Sequence, residues 1–66
     1  MAEIEIRLNG ESFRIREGAT VSELLRELEL AEDRVAVELD RAILRRPQWA
    51  GRRLESGSAV EIVQLV

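Results

Sequence analysis

Asn9-Gly10 sits between two runs that alternate apolar and polar residues, and no other feature of this sequence restricts its fold as tightly. Before it, Ile4, Ile6 and Leu8 alternate with Glu3, Glu5 and Arg7; after it, Phe13 and Ile15 alternate with Ser12, Arg14 and Arg16. Period-two alternation describes a strand with one buried face. Asn-Gly supplies the two positive φ angles that a two-residue type I′ turn needs. The chain therefore opens with an antiparallel hairpin, and something must cover its apolar face.

The cover follows directly. Thr20-Val21-Ser22-Glu23 is a capping box, in which hydroxyl and carboxylate each take a backbone amide of the first helical turn. Val21, Leu24, Leu25 and Leu28 then fall at i, i+3, i+4 and i+7, one apolar stripe at helical spacing. The spacing predicts a helix over Val21 to Glu29, ending near Ala31-Glu32-Asp33 without a glycine cap. Val35, Val37 and Leu39 alternate as a third strand, Asp40-Arg41 turns, and Ala42-Ile43-Leu44 forms a short fourth. Arg45 to Arg53 reads as irregular, broken by Pro47 and Gly51, with Trp49 as a lid over one end of the core. After the turn Ser56-Gly57-Ser58, Val60 and Ile62 alternate with Glu61 in a fifth strand that turns apolar on both sides at Val63 and Leu65.

The order is ββαβββ. One helical stripe and one sheet face bury each other in two layers. A last strand beside the first would be central, which explains its apolar character. This is the α+β class and the β-grasp, or ubiquitin-like, fold: a mixed five-stranded sheet with one main helix on one face. Residues 1–66 make a single domain.

Composition narrows the chemistry. A chain of 66 residues leaves little room for a ligand pocket of ~300 Å³ or more. It has no Cys, His, Lys or Tyr, so it lacks a thiolate, the usual neutral-pH base and a Schiff-base amine. Carboxylates, guanidinium groups, hydroxyls and the chain ends remain. The net charge of −3 argues against a nucleic-acid partner. Arg45, Arg46, Arg52 and Arg53 around Trp49 are a weak signal the other way. No run approaches the ~18 apolar residues of a membrane span, and the acidic, alternating start MAEIEIRL is not a signal peptide. The expectation is a cytoplasmic module that is not an enzyme and carries neither cofactor nor metal. Glu38 and Asp40 share a strand face, as do Glu3 and Glu5, and both pairs read as solvated carboxylates.

Leu8-Asn9-Gly10-Glu11, Gly18-Ala19-Thr20-Val21 with Leu24-Leu25, Val35-Ala36-Val37-Glu38-Leu39, Gln48-Trp49-Ala50, and Gly57 leading into Val60-Glu61-Ile62-Val63 recur in one order along the chain. In that order the sequence resembles the ThiS sulfur carriers of thiamine biosynthesis and, more distantly, the MoaD carriers of molybdopterin synthesis. It departs from the family's proline after the fourth strand, where Arg45 stands, and from its Asp-Gly-Asp turn, here Ser56-Gly57-Ser58.

The resemblance implies a C-terminal Gly-Gly beginning just past Val66, whose last carboxylate is adenylated by a partner and becomes a thiocarboxylate. It implies an E1-like adenylating enzyme (ThiF-like) and a thiazole synthase (ThiG-like) as partners. It also implies a docking patch on the sheet face away from the helix, made by Ala36, Glu61, Val63, Leu65 and Val66, with Glu3 and Glu5 adjoining Glu61. The alternatives are a MoaD-like carrier for molybdopterin or tRNA thiolation, or a β-grasp interaction module that never carries sulfur.

Overall fold

The structure is a computed structural model and describes residues 2–65. Its elements are β1 (Glu3–Leu8), β2 (Glu11–Arg16), α1 (Val21–Glu27), β3 (Val35–Leu39), β4 (Ala42–Leu44) and β5 (Ala59–Gln64). The sheet order is β2-β1-β5-β3-β4. β1 and β5 run parallel, and the other neighbours are antiparallel. The last strand is therefore central, as its apolar sequence requires, and the β-grasp expectation holds.

The hairpin closes where the sequence places it. Leu8 faces Glu11 across the turn, with Asn9 at φ 51° and Gly10 at φ 83°. A second two-residue turn, Asp40-Arg41, joins β3 to β4 with φ 51° and 72°. Both have the two positive angles of a type I′ turn.

The capping box also forms. The Glu23 amide donates to Thr20 Oγ1 at 3.2 Å, and the Thr20 amide donates to Glu23 Oε1 at 2.8 Å. The adjacent amides of Val21 and Ser22 donate to the carbonyls of Arg52 and Trp49 at 3.0 and 3.2 Å. The loop after β4 thus supplies acceptors to helix-start donors that have none within the helix.

The helix stops earlier than its apolar spacing predicts. Leu28 is the C-cap, Glu29 takes φ 60°, and the Leu30 amide donates to Leu25 O at 2.9 Å while that of Glu29 donates to Arg26 O at 3.0 Å. This is a Schellman closure with glutamate where glycine is usual. It folds Leu28 and Leu30 back against the core.

That core joins Ile6 and Ile15 of the hairpin, Val21, Leu24 and Leu25 of α1, Val37 of β3, and Val60 and Ile62 of β5. Each such side chain contributes about 2 kcal/mol by leaving water. Trp49 closes one end of the core. It is buried, and its ring N–H donates to Leu44 O at 2.8 Å. Between β4 and Trp49 the chain makes one short 3-10 turn, Arg46–Gln48, around Pro47, where the sequence suggests irregular structure. No helix among the described residues is long and apolar enough to cross a membrane.

Candidate partner-binding site

The register of β5 decides which of its residues face outward. Val60 and Ile62 are buried against the helix layer, so Glu61 and Val63 point to the opposite face. Val63 is 58% exposed and Leu65 54%. Ala36 of β3 lies directly across from Val63 and is also exposed. The Leu65 amide donates to Arg34 O at 2.7 Å, so the ladder to the β3 side continues one residue past β5. Ala36, Glu61, Val63 and Leu65 are thereby brought together. Val66 lies outside the described residues.

Two features of this face were not legible in the chain. Ile43 is 78% exposed and sits across from Glu38. Its neighbours Ala42 and Leu44 are both apolar, so alternation could not tell its face. Only the pairing of Leu44 with buried Val37 turns Ile43 outward. In addition, Glu38 stands directly opposite Glu61. Like charges facing each other across a ladder destabilise a sheet. The outward face thus combines Ala36, Ile43, Val63 and Leu65 with two carboxylates that no described residue pairs in an ion pair.

Glu3 and Glu5, expected beside Glu61, are elsewhere. The parallel register matches Arg7 with Ala59, which places them beyond the opposite end of β5. They face β2 instead. Glu3 pairs with Arg14 at 3.4 Å, and Glu5 accepts from the Ser12 hydroxyl at 2.6 Å. Asp40, read as a solvated carboxylate, accepts from the Ala59 amide at 2.9 Å.

The carboxylates of this face, Glu38 and Glu61, are both exposed. The Glu23 carboxyl is held below its ordinary range, chiefly by the Thr20 amide; desolvation opposes this and the Arg16 guanidinium adds to it. It belongs to the helix start, in the other layer. Arg45, Arg46, Arg52 and Arg53 are exposed, but Trp49 between them is buried and offers no ring for stacking on a base. An open groove of about 310 Å³ runs beside the end of β5, lined by Leu8, Asn9, Leu28, Leu30, Ile62 and Gln64. It contains no titratable side chain.

Among the described residues, β5 is central and its outward row ends in exposed Val63 and Leu65. The sequence profile of the ThiS family matches residues 6–66. The chain belongs to the ThiS family. Its structure is similar to the crystal structure of the thiamine biosynthesis protein ThiS from Geobacter metallireducens, with a TM-score of 0.85 at 29% identity over 96% of each chain. No curated protein matches it. At family level this ThiS-like domain is a sulfur carrier of thiamine biosynthesis. Three residues or turns within the family-like stretches have structural roles: Asn9-Gly10 closes the hairpin, Thr20 caps α1, and Trp49 is tied to Leu44 O.

Proposed function

We propose that this domain carries sulfur as a thiocarboxylate on a C-terminal glycine that follows Val66, and performs no reaction with its own side chains. The carboxylate would attack the α-phosphorus of ATP on an E1-like enzyme and displace pyrophosphate. A sulfur donor would then displace AMP from the acyl-adenylate, leaving a thiocarboxylate for a thiazole synthase. Glycine suits that end because a tail without side chains is thin and reaches backbone angles barred to other residues.

Membership of the ThiS family carries this reading. The outward row supports it: β5 leads from the centre of the sheet toward the C-terminus, and exposed Val63 and Leu65 flank that path. Ala36, Ile43, Val63 and Leu65 would dock against apolar surface of the partners, with Glu38 and Glu61 meeting cationic groups.

The test uses the chain extended by Gly-Gly after Val66, incubated with ATP, a ThiF-like enzyme and a sulfur source. Intact mass should rise by the difference between one sulfur and one oxygen. An extended chain that forms neither the acyl-adenylate nor the thiocarboxylate would overturn the reading. Val63→Asp should leave the fold intact and weaken capture by the activating enzyme at least about tenfold, as for a central interface residue; titration calorimetry would measure it.

A further inference from the structure

We infer that Asn9 is a positioning residue for the C-terminal part of β5, and that its turn geometry is only half of its role. β5 outruns β1. The parallel register ends at Leu8 opposite Val60, whereas β3 keeps pairing with β5 as far as Gln64. Beyond Val60, β5 therefore has a strand on one edge only. Asn9 fills the other edge. Its amide donates to Val60 O at 2.8 Å. Its side-chain Oδ1 accepts from the Ile62 amide at 2.8 Å, and its Nδ2 donates to Ile62 O at 3.3 Å. The carboxamide reproduces both bonds of a peptide group where β1 has already turned away. Ile62 N–H needs an oxygen, so the orientation of the amide is fixed by chemistry.

The opposite edge has a counterpart. Asp40, also at φ 51°, donates its amide to Ala59 O at 2.7 Å and accepts the Ala59 amide on Oδ1 at 2.9 Å. The two turns hold β5 at its two ends, Asp40 at its entry and Asn9 toward its exit. Only the Asn9 contact lies near Val63 and Leu65. Asn9 thereby holds β5 at Ile62 on the edge that β1 leaves, while the other edge is held from the β3 side as far as Leu65. Its relevance to sulfur loading rests on the carrier reading, but its effect on β5 does not.

Amide hydrogen exchange on the intact chain decides the structural part. Asn9→Gly and Asp40→Gly each retain a residue suited to positive φ. In Asn9→Gly the Ile62 amide should exchange about tenfold faster relative to Leu24 and Leu25, the loss of roughly one ordinary hydrogen bond. In Asp40→Gly the acceleration should appear at Ala59 and spare Ile62. Equal acceleration at Ile62 in both variants, or none in Asn9→Gly, would overturn the inference. In Gly-Gly-extended chains, Asn9→Gly should raise KM for the activating enzyme about tenfold with kcat unchanged, and Asp40→Gly should not; an unchanged KM in Asn9→Gly would overturn the functional part. If the extended unmutated chain is never adenylated, the carrier reading falls, and exchange at Ile62 still decides what Asn9 does.

Discussion

Single residues in this domain hold backbone angles and charges that the chain around them does not favour. Glu29 ends α1 at φ 60° and Arg41 turns β3 into β4 at φ 72°, where a Cβ crowds the following carbonyl. Glu29→Gly should therefore stabilise the protein by about 0.5–1 kcal/mol, net of the extra freedom glycine gives the unfolded chain. Urea denaturation would show it as a higher midpoint at unchanged slope. Glu23 responds to pH. The Thr20 amide and the Arg16 guanidinium hold its carboxyl below its ordinary range, so the folded state binds that proton less readily than the unfolded chain does. The resulting stability is complete above the ordinary glutamate value of about 4.3 and is lost as pH falls through the lower folded value. Glu23→Gln can still cap the helix, and should flatten the acid limb of a stability–pH profile.

Among the elements, β5 carries both fold and candidate site, and its two faces answer to different demands. Its buried face packs the core, while its outer face sets Glu61 against Glu38. Glu61→Gln should raise the stability of the free domain by about 0.2–1 kcal/mol and weaken binding to a cationic partner surface; thermal melts and calorimetry on one preparation would separate the two effects. This is also the scale at which the sequence is most and least readable. The hairpin, the capping box and every strand were legible because period and turn chemistry are local. The end of α1 was not, since the Schellman closure uses a glutamate that composition cannot distinguish from a helical one. Ile43 was hidden between two apolar neighbours. The contact of Asn9 with Ile62 spans most of the chain, and nothing near residue 9 announces it.

At the scale of the whole molecule, stability is small and concentrated. A domain of 66 residues has a net stability of about 5 kcal/mol. Leu24 is fully buried where helix and sheet meet, and truncating it costs about 3 kcal/mol. Leu24→Ala should leave a domain that melts near physiological temperature, seen by circular dichroism. The arrangement also separates the two sheet faces: the helix and the inner face form the core, and Ala36, Ile43, Val63 and Leu65 of the outer face are exposed. The position of β5 has one more consequence, and it concerns assembly. Because β5 joins the β1–β2 hairpin to the β3–β4 pair, a chain that ends before Ala59 has two strand pairs with no strand to link them, and isolated pairs are marginally stable at best. Assembly of the whole sheet therefore waits on β5, the most C-terminal strand among the described residues.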